Sequence, residues 1–124
     1  MFIADGWKDY ELIDCDGGER LERWGNYILV RPDPQVIWKG ERKDSRWNKA
    51  AGVYRRVGGG GSWVVNRMPE AWCINYGDLT FRLRPMGFKH TGLFPEQATN
   101  WDWSSGLIRN SVKNGKQPKV LNLF

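Results

Sequence analysis

Histidine is almost missing from this sequence: His90 is the single one in 124 residues. No His-based triad and no pair of His metal ligands can be built from this chain alone. Cysteine is nearly as scarce. Cys15 and Cys73 lack the close spacing of a zinc or redox motif, so two reduced thiols are the simplest reading, with a disulfide or metal site as the alternative. No apolar run approaches the roughly 18 residues that cross a bilayer. The opening Met1-Phe2-Ile3-Ala4-Asp5-Gly6 carries neither the basic start nor the long apolar stretch of a secretory signal. No Asn-x-Ser/Thr acceptor occurs. These absences predict a cytoplasmic protein with no membrane partner.

Catalytic signatures are missing too. There is no Gly-x-Ser-x-Gly and no His-Glu-x-x-His, and Gly115-Lys116 lacks the upstream glycine and following hydroxyl of a phosphate-binding loop. The four glycines Gly58-Gly59-Gly60-Gly61 are not a dinucleotide fingerprint, because Trp63 stands where the third glycine belongs. They read as a mobile hairpin loop. Lys89 and His90 beside Glu96 have the composition of an acid/base group, but a structural or phosphate-contacting role fits them better.

What is present is apolar, aromatic and unevenly charged. Apolar residues reach 40%, and eight tryptophans are many for this length, so one domain with a real core is expected. Residues 1–22 hold seven acidic side chains against Lys8 and Arg20, and the rest of the chain holds 17 basic against 7 acidic. A basic body of this kind favours a polyanionic partner, since Lys and Arg release counterions from phosphates. Trp24, Trp38 and Trp47 each adjoin a cation and offer stacking surfaces for bases, although core packing is the commoner use of tryptophan.

Along the chain, short extended segments alternate with turn residues. Tyr10 to Asp14 and Arg20 to Trp24 flank Asp16-Gly17-Gly18, a hairpin signal. Tyr27 to Arg31 is a strand ended by Pro32 and Pro34, and Lys39 to Lys49 reads as a loop or short helix. Ala51 to Val57 and Ser62 to Arg67 flank the glycines, and Trp72 to Tyr76 and Leu79 to Arg84 flank Gly77-Asp78. In the last strand Leu79, Phe81 and Leu83 share one face and Thr80, Arg82 and Arg84 the other. Asn100 to Val112 reads as a helix, capped by Asn100 or Thr99 and with Asp102 near its positive end. The fold expected is mainly β within an α+β class: a small twisted antiparallel sheet or partly open barrel of hairpins with one C-terminal helix. The final Lys119-Val120-Leu121-Asn122-Leu123-Phe124 has the near-continuous apolar character of a strand buried in a parallel sheet. Its alternatives are pairing with the antiparallel sheet or docking on the basic body.

The segment Gly87-Phe88-Lys89-His90-Thr91-Gly92-Leu93-Phe94-Pro95-Glu96-Gln97-Ala98-Thr99-Asn100-Trp101-Asp102-Trp103, with residues 119–124, resembles a bacterial family of S-adenosylmethionine-dependent methyltransferases. These are related to the enzymes that make 5-methylcytosine in large-subunit ribosomal RNA and are sometimes loosely described as oxidoreductases. Arg20 to Gly25, Val30 to Gln35 and Trp38 are similar to the same family's N-terminal part. The resemblance implies a β-rich, substrate-presenting domain over 1–98, a connector helix and turn over 99–118, and the first strand of a Rossmann-like methyltransferase domain over 119–124. The chain then departs from the family where the cofactor loop would follow, so no catalytic residue carries over and no cofactor is expected to bind this chain alone. Phe94 and Gln97 are implied as walls of the S-adenosylmethionine cleft in an intact enzyme. The expected partners are a C-terminal methyltransferase domain and an RNA substrate, with Arg55, Arg56, Arg82, Arg84, Lys89 and His90 as phosphate contacts. The competing readings are a stand-alone module that binds nucleic acid or protein, and a purely structural docking domain.

Overall fold

Seven strands, two 3-10 turns and one α-helix form the regular structure of residues 3–123, the residues described by the computed structural model. They fall into two compact units, one of residues 6–93 with all the strands, the other of residues 94–123 and 3–5 with the helix. The mainly β architecture expected from the sequence is present, as one five-stranded and one two-stranded sheet, and neither closes into a barrel.

Strands β1 (Tyr10–Asp16), β2 (Glu19–Trp24) and β3 (Tyr27–Pro32) form an antiparallel meander. Gly17 and Gly18 turn β1 into β2 with φ of +57° and +82°, the pair of left-handed conformations that a two-residue type I′ hairpin demands. Strands β4 (Gly52–Val57) and β5 (Gly60–Asn66) form the next hairpin. The turn is Gly58-Gly59 alone, and Gly60 and Gly61 are strand residues paired with Val57 and Arg56. The four glycines are therefore not one loop.

The sheet is mixed, where an antiparallel one was expected. Strand β4 lies parallel to β3, with Leu29 beside Gly52 and Val30 beside Val53. A parallel neighbour requires a crossover of a dozen residues or more, and residues 33–51 supply it. This crossover covers one face of the sheet, where Trp47 and Ala50 close a cluster with Leu21 and Val30. The acidic first strands hold it there. Trp47 Nε1 donates to Asp14 at 2.8 Å, and the Gly40 amide donates to Asp16. Arg42 reaches Asp16 at 3.0 Å and Glu19 at 2.9 Å while lying 4.2 Å above the Trp47 ring. A 3-10 turn, Ser45–Asn48, seats Trp47, and the Asp44 side chain caps it by accepting from the Arg46 amide. The Gly40 amide, then Arg42, holds the Asp16 carboxyl below its usual range. Arg46 holds that of Asp44 down to about 2.

Directly opposed residues share a face, so Tyr10, Glu22, Trp24, Leu29, Arg20 and Arg31 lie on the other side of the sheet. Glu22 is fully buried there. It accepts from Arg31 Nε at 2.6 Å, from Arg31 Nη2 at 2.7 Å and from the Tyr10 hydroxyl at 2.9 Å. Burial, followed by the charge of Glu22, pushes the Tyr10 phenol far above its ordinary value. Strands β6 (Trp72–Tyr76) and β7 (Leu79–Leu83) attach through Trp72 Nε1, which donates to the Trp24 carbonyl at 3.1 Å, and through the Asn75 amide, which donates to Asp9 at 2.8 Å. The Trp7 ring packs 4.7 Å from that of Tyr76. Trp24 and Trp47 are thus core residues; Trp38 is exposed, with its Nε1 donating to the Cys15 carbonyl.

Helix α1 (Ala98–Lys113) begins two residues before Asn100. Neither Asn100 nor Thr99 caps it, because the 3-10 turn Pro95–Gln97 delivers the chain already in helical conformation. Asp102 consequently falls beyond the first turn. The chain leaves the helix at Gly115, which has φ +70°; its amide donates to the Val112 carbonyl and that of Lys116 to the Ser111 carbonyl, a Schellman closure. Residues 119–123 carry no strand, since extended backbone becomes one only through ladder bonds to a neighbour; Phe124 lies outside the described residues.

Two outcomes are expected. Glu22→Ala removes the carboxylate that faces the buried Arg31 guanidinium and should cost about 3–5 kcal/mol in urea denaturation, whereas Glu22→Leu with Arg31→Met should cost less than either single change. The depressed carboxyls of Asp16 and Asp44 contribute stability above about pH 4, and it is lost as pH falls through their folded values. The near-UV signal of Trp47 should therefore decay below about pH 4, and the decay should be shallower in Asp44→Asn.

Candidate functional site

Strand alternation decides which basic side chains meet. On β4, Tyr54 and Arg56 point to the face that carries Arg20 and Arg31, and Arg55 points to the other. The segment after β7 folds over the former face. It closes on itself through the Arg84 amide, which donates to the Thr91 carbonyl, and the Met86 amide, which donates to that of His90. Four further bonds tie it to the sheet. Tyr54 Oη donates to the Gly87 carbonyl at 3.3 Å and Trp63 Nε1 to that of Met86 at 2.8 Å. Arg31 Nη1 donates to the Lys89 carbonyl, and Lys89 Nζ to that of Pro32, both at 2.9 Å.

Between this segment and the β4–β5 turn lies a cleft of about 340 Å³, lined by Tyr54, Arg56, Gly58, Gly59, Gly60, Phe88 and Lys89. It is electropositive. Burial lowers the Lys89 ammonium pKa, and the nearby charges of Arg20, Arg56 and Arg31 lower it further against the opposing pull of Asp33. A site with this bias is set to accept an anion. Phe88, largely exposed, lies 6.4 Å from the His90 ring at an interplanar angle of 29°.

Of the six cations expected to contact phosphate, the fold brings Arg56 and Lys89 together, with His90 beside them on the Phe88 ring. Arg55 faces the opposite side of its strand. Arg82 is exposed on β7, paired across the hairpin with Cys73. Arg84 is exposed and pairs with Glu70 at 3.2 Å. Sequence reasoning missed Glu22, Arg31 and Tyr10, which support the cleft from the core, Arg31 through its bond to the Lys89 carbonyl. Arg31 on an otherwise apolar strand was a local signal, whereas Glu22 lies on a strand that is mostly charged.

No group of three or more potential metal ligands occurs among the described residues, and Cys15 and Cys73 are free thiols. No helix among them is long and apolar enough to cross a membrane. Phe94 and Gln97 do not compose a cofactor site by themselves. Both are exposed at the entry to α1 with the exposed Glu96 carboxylate between them, the Gln97 side chain is engaged by Asn100 Nδ2 at 2.8 Å, and no glycine-rich turn lies in this stretch to receive a carboxypropyl group. These side chains alone do not fit S-adenosylmethionine.

In the helical unit, Trp103, Leu107 and Ile108 of α1 and Pro118, Val120 and Leu121 beyond it line an apolar groove of about 450 Å³. Trp103, Leu107, Val120 and Leu121 are all exposed.

No protein-family model matches this chain, and no curated protein matches it. Among solved structures it is similar to the SAM-dependent methyltransferase from Agrobacterium tumefaciens, at 32% sequence identity and a TM-score of 0.75. The match covers 91% of this chain and 36% of that one, so the chain spans little more than a third of that relative's length. The similarity supports the methyltransferase relationship expected from residues 87–103.

Proposed function

We propose that this chain is the substrate-positioning part of an S-adenosylmethionine-dependent methyltransferase that acts on RNA. The observation that carries the reading is the similarity to a SAM-dependent methyltransferase over 91% of the chain, together with a cleft biased toward anions. In this reading the chemistry belongs to a Rossmann-like catalytic domain, which binds S-adenosylmethionine and transfers its methyl group to a nucleophilic atom of the substrate. The β unit supplies position: Arg56 and Lys89 hold phosphate, and the cations outside the cleft, Arg55, Arg82 and Arg84, widen the electrostatic footprint. The catalytic domain docks on the helical unit, where the exposed Trp103, Leu107, Val120 and Leu121 form an apolar surface that a partner would cover. The finer assignment, kinship with the ribosomal RNA cytosine-5 enzymes, rests on the motif at 87–103, and the cytoplasmic placement on the two free cysteine thiols.

The reading is tested by binding. Structured RNA should bind this chain at low salt, and the logarithm of affinity should fall linearly with the logarithm of salt concentration. Arg82→Glu with Arg84→Glu should weaken binding by a similar factor for every RNA sequence. Absence of binding at low salt, or an affinity indifferent to salt, would defeat the proposal. In calorimetry the chain alone should show no saturable binding of S-adenosylmethionine, and clear micromolar binding would overturn the assignment of the cofactor to another domain.

A further inference from the structure

The four glycines at the rim of the cleft have different reasons to be glycine. Gly58 needs its positive φ of +59°. Gly61 needs its bare Cα, because an added Cβ would stand 2.6 Å from the Arg55 carbonyl oxygen and from the Tyr54 ring. Gly59 and Gly60 have neither reason. Both lie outside the positive-φ region, and a Cβ at either would meet nothing within 4 Å. Glycine costs conformational entropy wherever a side chain would be tolerated, and its remaining use is to let a ligand approach the backbone closely. Both residues line the cleft.

The other walls point to what that ligand is. Arg56 has no ion-pair partner among the described residues. Lys89 Nζ spends one donor on the Pro32 carbonyl, and an ammonium has three. Two cations with donors to spare beside bare backbone suit a phosphate. Phe88 is 68% exposed at the same cleft, a large apolar ring in water with the His90 ring 6.4 Å away and turned nearly parallel to it. A volume of about 340 Å³ is at the small end of ligand sites, roughly 300–1,000 Å³, and has room for one nucleotide but not for a helix.

We propose that this cleft binds a single unpaired nucleotide of an RNA strand, its phosphate against Arg56, Lys89 and the backbone of Gly59-Gly60 and its base stacked on Phe88. The inference rests on the RNA-positioning reading and narrows it: the chain selects a nucleotide whose base is already out of a helix, because only then is a base face available to the ring. The phosphate contacts give affinity and register, and the ring gives the discrimination between single strand and duplex.

Fluorescence anisotropy with a labelled single-stranded RNA, the same strand in a duplex, and a free mononucleotide as competitor tests this. The single strand should bind more tightly than the duplex. Phe88→Ala should weaken single-strand binding by about 5- to 150-fold with an unchanged salt slope, and Phe88→Trp should restore it. Arg56→Ala should reduce the salt slope by about one. Gly59→Ala with Gly60→Ala should weaken binding without lowering the thermal midpoint and without altering the near-UV spectrum. If RNA binds but Phe88→Ala is silent, or the duplex binds as tightly as the single strand, the nucleotide site is wrong and RNA positioning stands on other surfaces. If no RNA binds, both fall. If the mononucleotide binds while the strand does not, the cleft is a small-molecule site and the inference is overturned.

Discussion

The buried pair of Glu22 and Arg31 is the constraint on which the β unit depends. Two charges taken from water are costly unless every lone pair and proton is matched, and here the matching is nearly complete. The carboxylate receives two guanidinium donors and a phenol, and the guanidinium lies 5.0 Å from the centre of the Trp24 ring. A third donor, on Nη1, goes to the Lys89 carbonyl, 58 residues along the chain. One guanidinium therefore closes the core and anchors the segment that walls the cleft. A planar, five-donor group does this where an ammonium could not, because the donors must diverge in fixed directions.

The same logic explains the uneven charge along the chain. The acidic N-terminal stretch is not an acidic surface. Glu22 is spent on Arg31, Asp16 and Glu19 on Arg42, Glu11 on Arg23, and Asp9 on the Asn75 amide. These bonds stitch the crossover and the second hairpin to the meander. What they leave over is the positive charge of the later strands, and the alternation of β4 with the fold of the 84–91 segment concentrates part of it at Arg56 and Lys89.

The two units present different surfaces. The β unit offers an electropositive cleft with an exposed aromatic ring, chemistry suited to a nucleotide. The helical unit offers apolar side chains in water, chemistry suited to a protein face. In the proposed reading the first surface faces substrate and the second a catalytic domain; the match covers 36% of the similar methyltransferase.

Much of the architecture is legible in local sequence. Asp16-Gly17-Gly18 and Gly77-Asp78 mark two-residue turns, Gly115 and Pro118 end the helix, and the alternation in Leu79 to Leu83 sets Phe81 and the buried Leu83 opposite Arg82. These features depend on residues within a few positions of one another, so pattern suffices. The parallel pairing of β3 with β4 was not legible, because the crossover from 33 to 51 reads as polar loop until Trp47 and its acidic partners are seen to seat it. The separation of Arg55 from Arg56 follows from alternation, but which of the two faces the cleft depends on what packs there. Glu22, Arg31 and Lys89 meet only through long-range folding, and nothing local marks a buried carboxylate as the partner of a guanidinium on the next strand. Sequence alone thus determined the strands between residues 10 and 83, most of their turns and the family resemblance, which are local or cumulative properties. The tertiary structure decided which charges are consumed in the core and which remain to face a ligand, because pairing in a low-dielectric interior depends on three-dimensional neighbours.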